Sequence, residues 1–111
     1  MINDIEFARA TETALESLNR ALDVVADEHD VEILYQSGVL TLEIEEPIVS
    51  KIVISPNSPA RQVWISAQLT SFKLDWSPDR NAFTLAATGE PLDTLIGRLV
   101  GEELGVDPIA L

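Results

Sequence analysis

The chain has 111 residues, 46% of them hydrophobic, and its 19 Asp and Glu against 7 Lys and Arg give a formal net charge of −12. That length can bury one core but not two, so one domain spanning residues 1–111 is expected. The charge argues against a nucleic-acid surface, which needs a basic footprint, and the lack of cysteine excludes disulfides, thiolate metal sites and thiol nucleophiles.

The same charge points towards cations or basic partners, although it also serves solubility. No stretch approaches the roughly 18 apolar residues that a membrane helix requires. Met1-Ile2-Asn3-Asp4 has neither the basic residues nor the following apolar run of a signal peptide. A cytoplasmic protein without membrane contact is expected.

From Asn3 to Asp27 there is no Pro or Gly, and Ala8, Thr11, Leu15, Leu18, Leu22 and Val25 recur at three- and four-residue steps, which predicts an amphipathic helix. Asn3 or Asp4 can cap its start. The period then changes to two. Val31 to Tyr35 and Val39 to Glu45 read as strands separated by Gln36-Ser37-Gly38. Lys51 to Ile54 reads as a third strand, which Ser55-Pro56-Asn57-Ser58-Pro59 should end. Gln62 to Gln68 is the fourth, Ser71 to Trp76 the fifth, and Phe83 to Leu85 a short sixth. Pro91 fits the first turn of a second helix. Leu92, Leu95, Ile96, Leu99, Val100 and Leu104 carry that helix to a stop at Gly105.

Every element has one apolar face. The simplest burial scheme is an α+β, two-layer sandwich in which the N- and C-terminal helices pack side by side on one face of an antiparallel sheet of about six strands, in the order α-β6-α. The other sheet face then meets water. In the fourth strand Val63, Ile65 and Ala67 share one face and Gln62, Trp64 and Ser66 the other. With one covered face claimed by Val63 and Ile65, Trp64 is expected in solvent, where an aromatic among hydrogen-bonding neighbours can anchor a partner.

On the first helix, at about 100° per residue, Glu12, Glu16, Asp23 and Asp27 fall within an arc of roughly 60° opposite the apolar stripe. Glu28, Asp30 and Glu32 continue the charge into the first strand, and His29, the one histidine, lies among them. Carboxylates are hard ligands for cations such as iron, manganese, calcium or magnesium. Such a row is no coordination cage, and from spacing alone a solvated helix face is the better explanation. Arg20, one turn after Glu16, can neutralise part of it. Glu43, Glu45 and Glu46 read as a second acidic group serving solubility.

Gly38-Val39-Leu40-Thr41-Leu42, the run from Ile52 through Ser55-Pro56-Asn57-Ser58-Pro59-Ala60-Arg61-Gln62-Val63-Trp64 to Ser66, and the acid-rich opening helix resemble the frataxin family, specifically its bacterial members. The similarity covers nearly the whole chain. It implies a two-helix, one-sheet sandwich that binds iron weakly through acidic residues, takes part in iron–sulfur cluster assembly, and contacts the cysteine desulfurase and the scaffold protein of that machinery. Asp23, Asp30 and Glu32 match acids of the family pattern. Asn19 and Arg20 stand where relatives often carry an acidic pair, Val24 interrupts another, and Ala8 replaces a His found in some. Fewer and weaker sites for ferrous or ferric iron are therefore expected, on Glu12, Glu16, Asp23, Asp27, Glu28, His29, Asp30 and Glu32. The partner face implied is Ser55, Asn57, Arg61, Gln62, Trp64 and Ser66, with Ser55 and Asn57 in place of the family's usual Asn and Gln. A monomer is expected, with metal-induced assembly into oligomers as the exception.

Catalytic apparatus is not evident. One His cannot form an H-E-x-x-H site, Gly-rich phosphate loops are missing, and cysteine is absent. The resemblance allows ferroxidase activity, yet no specific residue supports it. The alternative reading is a small acidic chaperone or protein-interaction module without metal function. An uninterrupted run of six strands favours the frataxin-like reading, and a helix inserted between strands the alternative.

Overall fold

The computed structural model describes residues 2–47 and 49–111. Asn3 begins the first helix, α1 (Asp4–Glu28), with a reciprocal capping box: its side chain accepts the Glu6 amide while the Glu6 carboxylate accepts the Asn3 amide. The buried stripe is Phe7, Thr11, Leu15, Leu18, Leu22 and Val25. Phe7 takes the place expected for Ala8, which is exposed. The reason is angular: four residues before Thr11, Phe7 keeps to the centre of the stripe, whereas Ala8 rotates towards its edge.

Six strands follow without an intervening helix: β1 (Val31–Gln36), β2 (Val39–Ile44), β3 (Ser50–Asn57), β4 (Gln62–Ala67), β5 (Thr70–Ser77) and β6 (Ala82–Leu85). They form one sheet in chain order, each antiparallel to the next. Of the two architectures weighed above, this is the uninterrupted one. Alternation sends Leu40, Leu42, Ile44, Ile52, Ile54, Val63, Ile65 and Leu74 into the core, all essentially inaccessible. Each such burial stabilises by roughly 1.5–3 kcal/mol.

The third strand runs three residues past Ile54, through Pro56, contrary to expectation. Its pairing with β2 ends at Leu40 and Ile54, so beyond that point β3 has β4 as its one neighbour and Pro56 pairs there with Val63. A proline is tolerated where a strand has become an edge.

The second helix, α2 (Leu92–Leu104), is preceded by Pro91 at the N-cap, one position earlier than expected, and stopped by Gly105 at φ 72°. Between the layers the Phe83 ring meets Trp76 edge-on at 5.1 Å and Phe7 at 5.8 Å, joining β5, β6 and α1. The Arg98 guanidinium pins the loop before α2 by donating twice to Glu90, at 2.9 and 3.0 Å. After Gly105 the chain turns back along α2, where the Ile109 amide donates to the Gly97 carbonyl at 3.1 Å. A Cβ at Gly101 would lie 2.7 Å from the Asp107 carbonyl oxygen, so glycine is what admits this close return. Among the described residues no helix is long and apolar enough to cross a membrane.

Candidate functional site: an open sheet face and an acidic edge

The helices cover the face bearing Val63, Ile65 and Ala67, which leaves Gln62, Trp64 and Ser66 on the other. Trp64 is 38% exposed. Its cross-strand neighbours are Ser55 on β3 and Lys73 on β5. The Lys73 ammonium sits 4.9 Å from the ring centroid, an interaction worth about 0.5–1 kcal/mol at an exposed site. The indole Nε1 donates to Gln62 Oε1 at 3.0 Å, and Gln62 Nε2 donates to Asp75 Oδ1 at 2.9 Å. Trp64 is thus held by a polar chain on one side and a cation on the other. A side chain ordered in advance loses less freedom when it binds.

A second row crosses the same face beside it: Leu34, Thr41, Val53, Ser66 and Ser71 stand opposite one another on successive strands. Leu34 is 57% exposed and Val53 half-buried. The face therefore offers an indole, two aliphatic side chains and a surrounding set of hydroxyls and amides. That is the composition of a binding patch with apolar anchors and a polar rim.

Besides Gln62 and Trp64, two more of the expected partner residues are engaged within the molecule. Asn57 Oδ1 accepts the Ala60 amide at 2.9 Å and shapes the β3–β4 turn. Arg61, at φ 52°, reaches Asp4 Oδ1 at 2.9 Å and ties that turn to the start of α1. Ser55 is half-buried and Ser66 exposed on the sheet face itself. The residues that sequence reading missed are Leu34, Val53, Lys73 and Asp75. Alternation in the fifth strand already placed Lys73 and Asp75 opposite Phe72, Leu74 and Trp76. What was lacking was register, because the β4–β5 turn at Gln68-Leu69 carries no Gly or Asn, and Gln68 adopts φ 51° regardless.

The acids divide into separate groups. Glu12, Glu16, Asp23, Asp27 and Glu28 are exposed on α1, and Asp30 is exposed just before β1. His29 is half-buried at the α1 C-cap, its amide donating to Val25. Glu32 lies on the open face, opposite Glu43, which in turn faces Lys51. The inward alternation of Val31 sends Glu32 to the side of the sheet away from α1. Glu12 and Glu16 flank Tyr35, whose hydroxyl pKa is pushed up first by burial and then by the Glu16 and Glu12 charges. Among the described residues no ion pair joins Arg20 to Glu16. None of these acids forms a group of three or more Asp, Glu or His able to hold a metal ion, again among the described residues.

Fold and surfaces together define a one-sided sandwich, with two helices on one sheet face, an open second face and an acidic helix edge. The chain belongs to the frataxin-like domain family, whose model matches residues 1–106. It is 31% identical over 108 residues to the mitochondrial frataxin of Caenorhabditis elegans, covering 94% of this chain and 79% of that protein. It is 30% identical over 108 residues to the iron-sulfur cluster assembly protein CyaY of Ralstonia nicotianae, covering 96% and 92%. Among solved structures, the frataxin from Psychromonas ingrahamii superposes with a TM-score of 0.82 over 99% of both chains at 18% identity, which speaks to the fold.

Proposed function

We propose that the protein takes part in iron–sulfur cluster assembly, the process printed in the names of its bacterial relatives, and acts there as an adaptor. The observation that carries this reading is the open sheet face centred on Trp64, a pre-ordered aromatic anchor beside exposed Leu34. Ser55, Gln62, Trp64 and Ser66, now with Leu34, Val53 and Lys73, meet the scaffold protein on that face. The exposed acids of α1 and the following turn, Glu12, Glu16, Asp23, Asp27, Glu28 and Asp30, draw a basic surface of the cysteine desulfurase by charge. Asn57 and Arg61 act one step back, by fixing the turn that leads into β4.

Iron is cargo held loosely in this reading. Isolated carboxylates on a helix supply one or two oxygen ligands each, with water completing the shell, so binding is weak and sensitive to salt. This reading assigns no residue a catalytic role. Pull-down from the native organism's cytoplasm tests the proposal: recovery of the cysteine desulfurase with its scaffold supports it. Recovery of unfolded client proteins without the desulfurase would favour the chaperone reading instead.

A further inference from the structure

An open sheet has two edges, and here they are finished differently. β6 is four residues long and is closed by the segment before α2: the Leu85 amide donates to the Glu90 carbonyl at 2.9 Å, and Thr84 bridges to Pro91. β1 has six residues in unbroken register with β2, and no proline, lysine or bulge interrupts it. Those are the devices that usually blunt an exposed edge. The Ser37-Gly38 turn, with both φ positive, makes Gln36 and Val39 the closing hydrogen-bonded pair. Two and four residues back, Leu34 and Glu32 bond to β2 in the same way, so the backbone groups of Ile33 and Tyr35 point outward. Neither residue has another backbone partner among the described residues.

Both flanks of this edge are acidic. On the helix side, Glu12 and Glu16 share a hollow with Tyr35. On the open side, Glu32 is exposed two positions from exposed Leu34 and stands opposite Glu43. Arg9 and Arg20 are the only cations of α1, outnumbered by its acids. A second copy of the chain would bring the same negative charges into the joint, whereas a basic strand would neutralise them. A strand added to an edge takes its affinity from main-chain hydrogen bonds and its specificity from alternate side chains.

We infer that the β1 edge pairs with an extended basic segment of a protein partner, which adds to the sheet as a further antiparallel strand. The partner's side chain opposite Tyr35 lies beside Glu12 and Glu16, the next packs on Leu34, and the one opposite Glu32 is again basic. The inference rests on the reading of the acidic edge as a surface for a basic partner, and adds the manner of attachment.

The test is a titration of the full chain, followed by amide NMR, with the capped peptide Thr-Lys-Val-Thr-Lys-Val and two backbone-methylated forms of it. Saturable shifts from Glu32 to Gln36 and slowed amide exchange at Ile33 and Tyr35 are expected. N-methylation of the first Lys and the second Thr, whose amides face β1 in this pairing, should weaken binding by about tenfold. N-methylation of the first Val and the second Lys, whose amides face away, should leave it within about twofold. Glu16→Gln and Glu32→Gln, both at exposed positions, should each weaken the unmodified peptide by about two- to fivefold. Equal binding of the two methylated forms, or shifts centred on Trp64, would overturn strand pairing and leave the acidic edge as a charged surface only. Absence of saturation in a protein that still captures the desulfurase would overturn strand pairing alone; a protein that captures neither loses the underlying reading as well. Shifts along β1 with protein concentration alone would give the edge to a second copy of the chain and overturn the inference.

Discussion

At the scale of single residues, two side-chain networks carry most of the chemistry. Trp64 is exposed yet ordered, because Gln62 holds its indole N–H and Lys73 faces its ring. Glu90 is only 18% exposed at its side chain and doubly bonded by Arg98, which, with Thr88, holds its carboxyl below the ordinary carboxylate range. The folded state therefore favours the ionised form. The stability this adds is present above the unfolded pKa and is lost as pH falls through the lower, folded one. Thermal unfolding of the wild type and Glu90→Gln should differ by about 1 kcal/mol at neutral pH and converge in acid; a difference that persists at low pH would refute the assignment. The exposure of Trp64 was readable from alternation plus the number of covered faces. Its clamp was not, because Lys73 and Asp75 reach it only through a register set by a turn at Gln68-Leu69 that lacks the usual turn residues.

At the scale of elements, α1 and the C-terminal return show opposite degrees of legibility. The helix was plain in its apolar period and in the Asn3 cap, and only the displacement of Ala8 by Phe7 escaped, since both lie within a residue of the stripe. The return of Asp107 to Leu111 along α2 left no period to read, and only Gly97 and Gly101, four apart in a helix, hinted at a close approach. Helix propensity alone favours Gly97→Ala by up to about 1 kcal/mol. Here the added methyl would run into the Ile109 carbonyl, so Gly97→Ala should instead cost roughly 1–3 kcal/mol, seen as a lower unfolding midpoint in urea. A gain in stability would show that the segment does not hold to α2. The acidic ridge was legible as charge but not as geometry, because alternation in β1 sends Glu32 to the far side of the sheet. Ferrous or ferric iron should broaden the amide resonances of Asp23, Asp27 and Asp30 first, with Glu32 behaving separately; broadening centred elsewhere would reject the ridge as the iron surface.

At the scale of the whole molecule, one asymmetry organises the rest: two helices cover one face of a six-stranded sheet, and the other face is left open to water. In the proposed role, the net charge of −12 would set how a basic partner is approached, and the sheet face how well it is kept. Raising the salt concentration should slow association with the desulfurase more than it speeds dissociation, measured by surface-immobilised binding kinetics. A salt-independent association rate would mean that the acidic edge plays no part. The central claim, that the Trp64 face is the docking surface, is tested most directly by the affinity of Trp64→Ala for the purified desulfurase–scaffold complex, with thermal stability measured on the same sample. Loss of more than about 1 kcal/mol of binding, with the unfolding midpoint nearly unchanged, is the predicted result. Unaltered affinity, or a fall in stability large enough to explain the loss, would contradict it.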